Sequence, residues 1–303
     1  MSKRGITLYM HVHQPYRVRE YSVFDASVNH NYFTDPDVLS NRNNQKIFNK
    51  VADKSYRPMN ALLEKLLSTH PDFKVSLSIT GTFIDQAAEW APDVLESFQR
   101  LVKTGKVEIV AETYYHSLAF FYSRDEFERQ VDAHRAKIRE VFGVETNVFR
   151  NTELSYNDEL AKWADDYGFK GILAEGWDPI LDWRSPNFVY RPEGTENISL
   201  LLKNYKLSDD LAFRFSNRSW QEWPLTADKY TSWVESSIRD QPLVNLFMDY
   251  ETFGEHQWHD TGIFEFFEEF ISRWLHDENN TFYTVSEAIE AHEPVGSLSM
   301  QQT

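Results

Sequence analysis

The chain alternates short apolar runs with longer segments in which apolar residues repeat every three or four positions. Short unbroken apolar runs are typical of strands that are buried on both faces of a parallel sheet. The runs predict seven strands, at Ile6–Val12, Phe73–Ile79, Val107–Ala111, Asn147–Arg150, Gly171–Ala174, Ile198–Leu202 and Leu243–Met248. The intervening repeats predict helices, near 59–67, 94–102, 124–141, 158–167, 228–238 and 263–274. This alternation is the pattern of a parallel α/β domain, for which a closed or nearly closed barrel is the simplest architecture.

No change in composition, internal repeat or flexible linker divides the 303 residues. We therefore expect one barrel domain over residues 1–292 and a polar C-terminal tail over residues 293–303. The N-terminus passes from two basic residues directly into the first strand, without the apolar stretch of a signal peptide. No apolar run approaches the roughly 20 residues that span a bilayer. A cytoplasmic location with no membrane partner is the expectation.

Composition narrows the possible partners. The formal net charge is −16, from 31 basic and 47 acidic residues, which argues against binding to nucleic acid or to an anionic membrane. The absence of cysteine excludes disulfides and thiolate metal sites. Aromatic residues make up 15% of the chain. Their rings stack on sugar faces in some proteins, but they more often fill cores.

Polar clusters follow most of the predicted strands. They contain His11 and His13, then Glu108, Glu112 and His116, then Glu153, then Glu175, Trp177 and Asp178, and finally Asp249, Glu251 and His256. In a parallel barrel the carboxyl ends of the strands open onto one face, where catalytic groups are displayed. The clusters therefore predict an active site at that face.

Each residue also has an ordinary structural interpretation. Asp249 could be a helix cap or an ion-pair partner, and Glu153 could cap the helix that follows it. Glu108 lies inside an apolar strand, where a carboxylate needs a partner or a function. His11 and His13 lie on the same side of a strand, which suits a metal pair, contacts to a substrate hydroxyl or one structural histidine. No HxxxH pattern supplies a third metal ligand.

Two carboxylates from different strands, beside imidazole and aromatic groups, suit the cleavage of glycosidic bonds. One carboxylate attacks the anomeric carbon, while the other, with a raised pKa, protonates the leaving oxygen and later activates water. Trp177 and Trp258 fall in predicted loops, where tryptophan is a candidate for sugar stacking. No phosphate-binding loop, dinucleotide fingerprint or serine-hydrolase elbow is present.

Four motifs occur in a fixed order, HVHQP (His11–Pro15), GKVEIVAETYYHS (Gly105–Ser117), FRNTELSYND (Phe149–Asp158) and MDYETFGEH (Met248–His256). Together they resemble glycoside hydrolase family 57, and in particular its α-amylases and α-amylase-like proteins. The resemblance covers nearly the whole chain. It implies an incomplete (β/α)7 barrel that acts on α-glucans or maltooligosaccharides with retention, without a cofactor or a required metal.

Carried over by position, the resemblance implies that Glu153 is the catalytic nucleophile and Asp249 the general acid/base. The substrate-site residues that it implies are His13 and Glu108 within the motifs and, by position beside them, His11, Trp177, Glu251, His256 and Trp258. One departure from the family pattern is that its usual helical region after the barrel is absent or cut short.

Several alternatives stay open. The same site could serve a 4-α-glucanotransferase or a branching enzyme, because lid loops decide whether water or a sugar hydroxyl reaches the intermediate. The long loops Tyr16–Asn49 and Asp178–Arg191 are candidate lids. From other functional classes, a non-catalytic glucan-binding protein or a metal-dependent polysaccharide deacetylase with His11 and His13 as ligands is possible. The sequence does not determine the oligomeric state.

Overall fold

The computed structural model describes residues 3–35, 37 and 39–301; the end of the predicted tail and two positions of the first long loop lie outside them. The strands of this part of the chain are β1 (Arg4–Val12), β2 (Val75–Ile79), β3 (Val107–Ile109), β4 (Val148–Arg150), β5 (Gly171–Glu175), β6 (Arg191–Pro192), β7 (Ser199–Lys203), β8 (Leu243–Asp249), β9 (Asn280–Tyr283) and β10 (Ser297–Leu298). All seven predicted strands are confirmed, as β1–β5, β7 and β8, with ends that shift by at most two residues.

Strand β1 is the centre of the larger sheet. Along one edge it pairs in parallel with β8, from Gly5 opposite Leu243 to His11 opposite Asp249. Along the other edge its first half pairs with β9 and its second half with β2, which continues the sheet to β3. A second parallel sheet has the order β4-β5-β7. The sequence pattern missed β9, because only one of its four residues, Phe282, is a buried hydrophobic residue, which is too few to form an apolar run.

Two seams join the sheets into a nearly closed barrel. Between β3 and β4, the backbone N–H of Arg150 donates to the carbonyl of Ala111 at 2.9 Å. Between β7 and β8, the N–H of Asn204 donates to the carbonyl of Asn245 at 2.8 Å, and the Asn245 side chain donates to the carbonyl of Leu202 at 3.0 Å. The incomplete seven-stranded parallel barrel expected from the sequence is confirmed.

The helices of the described residues are α1 (Asn44–Val51), α2 (Arg57–Thr69), α3 (Gly81–Trp90), α4 (Pro92–Lys103), α5 (Arg124–Phe142), α6 (Asp158–Tyr167), α7 (Asp178–Leu181), α8 (Tyr205–Asp209), α9 (Ala227–Ile238), α10 (Ile263–Trp274) and α11 (Val285–Ala291). The six predicted helices are present as α2, α4–α6, α9 and α10. None of the helices in the described part of the chain is long and apolar enough to cross a membrane.

Helix α1 begins within the first long loop predicted from the sequence, Tyr16–Asn49, and a π-helical turn at Ala52–Tyr56 links it to α2. Near the other end of the chain, β10 pairs with β6, and Met300 beside it is buried. The segment after residue 292 therefore packs against the barrel as far as it is described. The strands bury their side chains on both faces, so the polar residues concentrate where the strands end.

Candidate active site

A cleft opens at the carboxyl ends of the barrel strands. Its lining includes the charged and imidazole side chains of His11, Arg150, Glu153, Glu175, Lys203, Asp249 and His256. The convergence follows from the parallel topology, since every strand delivers its last residues to the same face. Five residues of the predicted polar clusters, Glu153, Glu175, Asp249, His11 and His256, are thus brought together.

Glu153 lies in a 3₁₀ turn directly after β4 and has a left-handed backbone with φ of 56°. The next residue, Leu154, also has φ of 56°, and His116 on the preceding loop has φ of 53°. Left-handed conformations of non-glycine residues are costly and cluster at functional sites, where the surrounding structure enforces them. Here they present the Glu153 carboxylate, 74% exposed, to the ring of His116, whose Nε2 lies 2.8 Å from Oε1.

Asp249 is the last residue of β8 and lies opposite His11 of β1 in the strand register. Its side chain is 56% exposed in the cleft, and its Oδ1 lies 3.7 Å from Nδ1 of His11. Burial of the carboxylate would raise its pKa, but the nearby imidazole of His11, with the charges of Arg150 and His256, lowers the pKa to about 2. Asp249 is therefore ionised at neutral pH.

Glu251 lies only two residues further on but is turned away from the cleft. The chain after β8 forms a 3₁₀ turn at Tyr250–Thr252, which buries the Glu251 side chain. Its Oε1 accepts hydrogen bonds from the Tyr56 hydroxyl at 2.5 Å and from the His13 N–H at 3.3 Å. Burial and the charge of Asp249 raise the pKa of Glu251 to about 7. A raised pKa was expected for the general acid/base, Asp249. The structure gives the raised pKa to the buried Glu251 instead.

His13 lies behind the cleft rather than on its surface. Its Nδ1 is 2.9 Å from the Thr80 hydroxyl, and its ring stacks on His116 with 4.4 Å between ring centres. Burial lowers the pKa of His13 to about 3, and the nearby His116 and His11 contribute to the same direction. This imidazole is consequently neutral under ordinary conditions.

The sequence matches the profile of Glycosyl hydrolase family 57 over residues 7–301. The chain belongs to this family. A protein of Methanocaldococcus jannaschii that is provisionally named an alpha-amylase is 46% identical over 299 residues, which are 98% of this chain and 62% of that protein. This chain therefore spans less than two thirds of that relative.

Solved structures show the same fold. The 4-alpha-glucanotransferase of Thermococcus litoralis superposes with a TM-score of 0.76 at 21% identity, over 100% of this chain and 42% of that one. A family 57 branching enzyme of Thermococcus kodakaraensis superposes with a TM-score of 0.75 at 12% identity, over 99% of this chain and 73% of that one. At these identities the likeness concerns the fold, and the site has to be interpreted from its own residues.

Besides His13 and Glu251, three residues carried over from family 57 lie outside the cleft lining, namely Trp177, Trp258 and Glu108. Trp177 is 49% exposed before α7, and Trp258 is 59% exposed with the Lys54 ammonium 5.1 Å from its ring centre. Glu108 lies near the start of β3, away from the strand end. Its carboxylate accepts hydrogen bonds from the Ser76 hydroxyl at 2.9 Å and the Ser286 N–H at 3.1 Å, and from the Ser286 hydroxyl. These contacts give Glu108 a structural setting at the N-terminus of α11.

Sequence reasoning did not name Arg150 and Lys203 as site residues, and it placed Glu112 and His116 in the predicted polar clusters without giving either a role. Arg150 and Lys203 line the cleft as the last residues of β4 and β7, while Glu112 and His116 follow β3 and contact its lining. Their common signal was a charged or imidazole side chain at a strand end. That signal was visible in the sequence, but it does not tell which of several neighbouring residues turns towards the cleft.

One group among the described residues could hold a metal ion. His11, Glu112 and His116 each offer one ligand atom, and these atoms lie within 4.8 Å of one another. His13, which the sequence paired with His11 as a possible ligand, is not part of this group. The Arg150 guanidinium lies 3.9 Å from the Glu112 carboxylate and already places a positive charge beside it.

Proposed function

We propose that this chain carries the site of a retaining glycoside hydrolase that acts on α-1,4-glucans or maltooligosaccharides, with Glu153 as nucleophile and Asp249 as general acid/base. The observation that supports the proposal is that both carboxylates line one cleft at the strand ends, each beside an imidazole. Family membership and the alpha-amylase name of the 46% identical relative support the substrate class.

The proposed reaction has two displacements. The Glu153 carboxylate attacks the anomeric carbon while Asp249 donates a proton to the departing glycosidic oxygen, which leaves a glycosyl ester on Glu153. Asp249, now ionised, removes a proton from an incoming water or sugar hydroxyl, whose oxygen attacks the ester and restores Glu153. Two inversions at one carbon give net retention.

The proton-donor role requires that the pKa of Asp249 rises from about 2 when a glucan occupies the cleft. Displacement of water by the sugar supplies a physical cause, because desolvation disfavours the charged form of a carboxylate. The exposed position of Asp249 makes this possible, whereas Glu251 is too deeply buried to reach a glycosidic oxygen. Geometry therefore favours Asp249 over Glu251 as the donor.

Sugar recognition is assigned to the groups around the two carboxylates. His11, His13, His256 and Lys203 offer polar contacts to hydroxyl groups, with Glu251 holding the His13 backbone in place. Phe213 is 70% exposed at the cleft, and Trp177 and Trp258 are exposed further out, which suits stacking on a longer glucan. Glu108 is not part of this proposal.

The roles of the two acids can be separated with azide as an added nucleophile. Glu153→Gln and Asp249→Asn should each lower kcat on maltoheptaose by several orders of magnitude. With an activated aryl maltooligosaccharide, azide should rescue Glu153→Ala by direct attack and give the β-glycosyl azide. It should rescue Asp249→Ala by attack on the glycosyl ester and give the α-glycosyl azide. Unchanged activity of either variant, or the opposite anomers, would contradict the assignment.

The product profile from maltoheptaose distinguishes hydrolysis from transfer. Shorter products alone indicate that water takes the glycosyl group, whereas longer products indicate a 4-α-glucanotransferase, the activity named for the Thermococcus litoralis relative. New α-1,6 linkages in the product would indicate a branching enzyme instead. Binding of maltoheptaose without any turnover would favour a non-catalytic glucan-binding protein.

A further inference from the structure

Glu112 is a buried carboxylate for which the two-displacement reaction has no direct use. It follows β3 at the carboxyl face of the barrel, and its side chain is 0% exposed. A carboxylate so far from water is stable only when charges and hydrogen bonds compensate for its lost hydration. Its partners are therefore the first clue to its role.

Three cationic or imidazole groups converge on one oxygen of Glu112. Nε2 of His11 lies 3.1 Å from Oε2, Nδ1 of His116 lies 3.8 Å from it and Nη1 of Arg150 lies 3.9 Å from it. His134 of α5 approaches from behind and accepts the Glu112 backbone N–H at 3.4 Å. Burial alone would raise the pKa of Glu112, but His11, His116 and Arg150 hold it well below its usual range.

The far sides of the same two imidazoles contact the proposed catalytic carboxylates. His11 has its Nδ1 3.7 Å from Oδ1 of Asp249, and His116 has its Nε2 2.8 Å from Oε1 of Glu153. The two rings stack on each other, with 4.7 Å between their centres and 24° between their planes. Each imidazole thus bridges Glu112 to one of the two acids.

We propose that Glu112 is a positioning residue that orients His11 and His116 and, through them, both Glu153 and Asp249. The proposal rests on the proposed function of these two acids. A carboxylate that accepts a hydrogen bond from one imidazole nitrogen fixes the ring orientation and keeps the proton on that nitrogen. With a proton held on Nε2 of His11 by Glu112, Nδ1 is free to donate a proton to Asp249 or to accept one from it.

Such an exchange conserves charge and atoms. Once Nδ1 of His11 and Oδ1 of Asp249 close from 3.7 Å to hydrogen-bond distance, a proton can pass from the first to the second, and an imidazolium and a carboxylate become a neutral imidazole and a carboxylic acid. The groups that face the two imidazoles are Glu112, Asp249, Glu153, Arg150 and the stacked ring of His13. Glu112 is the carboxylate among them that lies close to both rings.

A metal ion held by His11, Glu112 and His116 is the competing explanation of the same cluster. In that arrangement Asp249 and Glu153 would support the ligand histidines from outside. The positioning role is favoured because Arg150 is already adjacent to Oε2 of Glu112 and His11 hydrogen-bonds to it directly. Metal analysis of protein purified without chelator decides between them. Stoichiometric zinc that Glu112→Gln abolishes would overturn the positioning role.

The kinetic test uses Glu112→Gln, which keeps the side-chain shape and removes the charge. We expect kcat on maltoheptaose to fall by about 10- to 100-fold, the usual effect of losing a supporting carboxylate, with KM within about twofold because Glu112 touches no substrate. Glu108→Gln is a matched control, since it changes a half-buried glutamate four residues earlier that lies away from the cleft, and it should leave kcat unchanged. An unchanged kcat, whether or not KM rises, would overturn the proposal.

A double-mutant cycle tests whether Glu112 acts through His116. If it does, Glu112→Gln combined with His116→Asn should be little worse than the more damaging single change, because both remove the same link. Losses that multiply would overturn the proposal. Should Glu112→Gln not fold, Glu112→Asp keeps the charge but shortens the side chain, and the same loss of kcat is expected.

Imidazole ¹⁵N NMR of the wild-type chain requires no turnover, so it separates this proposal from the proposed function. We expect both ring nitrogens of His11 to be protonated near pH 7, because each faces a carboxylate, with His11→Gln identifying the signals. Failure of the wild type to act on glucans would contradict the proposed function and leave this measurement intact. A neutral His11 ring with a bare Nε2 would overturn the role of Glu112.

Discussion

Asp249 and Glu251 are two positions apart in the sequence, yet the fold gives them opposite chemical states. The strand end presents Asp249 to the cleft and to His11, which stabilises the carboxylate. The 3₁₀ turn that follows directs Glu251 into the interior, where its raised pKa keeps part of the population protonated near pH 7. Their proximity in sequence therefore says little about which acid performs which task.

The raised pKa of Glu251 predicts a pH-dependent free energy of unfolding. Below its unfolded pKa of 4.5 the group is protonated in both states; as the pH rises towards the folded value of about 7, ionisation favours the unfolded chain. Relative to Glu251→Gln, the wild type should lose about 3 kcal/mol of stability between pH 4.5 and pH 7.5. Urea unfolding at a series of pH values measures this difference.

Glu255 provides the matched control for that titration. Its carboxylate is paired with Lys50 and Lys54, which outweigh the effect of burial and lower its pKa. The stability that Glu255 contributes is therefore present above its unfolded pKa and is lost as the pH falls. Glu255→Gln and Glu251→Gln should shift the stability profile in opposite directions, and a pH-independent difference for Glu251→Gln would contradict the prediction.

At the scale of elements, the N-terminus of α11 depends on Glu108 as well as on its own cap. Thr284 and Glu287 form a capping box, while Glu108 reaches across from β3 to the Ser286 backbone and hydroxyl. Neither β9 nor α11 was predicted, because both are short and their stability comes from these contacts with the barrel rather than from a repeating apolar pattern.

Glu108→Ala tests the structural setting of this residue. The substitution leaves the Ser286 N–H and the Ser76 hydroxyl without their acceptor, so we expect the free energy of unfolding to fall by about 2 kcal/mol. The kcat of the folded variant on maltoheptaose should equal that of the wild type, since Glu108 lies away from the cleft. A large loss of kcat with unchanged stability would instead support the substrate-site role implied by the family resemblance.

Close packing also fixes the element after β8. Gly254 has φ of +108°, and a Cβ at this position would lie 1.9 Å from the carbonyl oxygen of Lys54 in the π-helical turn. The turn that carries Tyr56 and the loop that carries Glu251 are thereby held against each other, which allows the 2.5 Å hydrogen bond between these two side chains. Only a residue without a side chain permits this approach.

At the scale of the whole molecule, the barrel is closed by few hydrogen bonds at the seam between β7 and β8. The buried side chain of Asn245 donates to the carbonyls of Leu202 and Pro186, at 3.0 and 3.2 Å. Asn245→Leu removes both bonds and leaves two buried acceptors, so we expect a loss of about 2–4 kcal/mol in the free energy of unfolding. Denaturant unfolding of the wild type and of Asn245→Leu measures this loss. A change below about 0.5 kcal/mol, which is the usual range for surface substitutions, would show that these hydrogen bonds contribute little to stability.

The order of the seven barrel strands and of six helices, the barrel class and the face on which polar side chains gather were determined by the sequence. The reason is that apolar periodicity and strand-end polarity are local properties, and parallel topology turns them into one shared face. The four ordered motifs added the family, which the profile match over residues 7–301 confirmed.

The tertiary structure alone decided which of the polar residues meet. Asp249 faces His11 through the register of two strands that are more than 230 positions apart. Glu112, which follows β3, meets His11 of β1 only because both strands pair with β2 and end at the same face. Side-chain direction after a strand depends on turn geometry, as the left-handed backbone of Glu153 and the buried turn at Glu251 show. Those are long-range packing effects, and no local pattern in the chain encodes them.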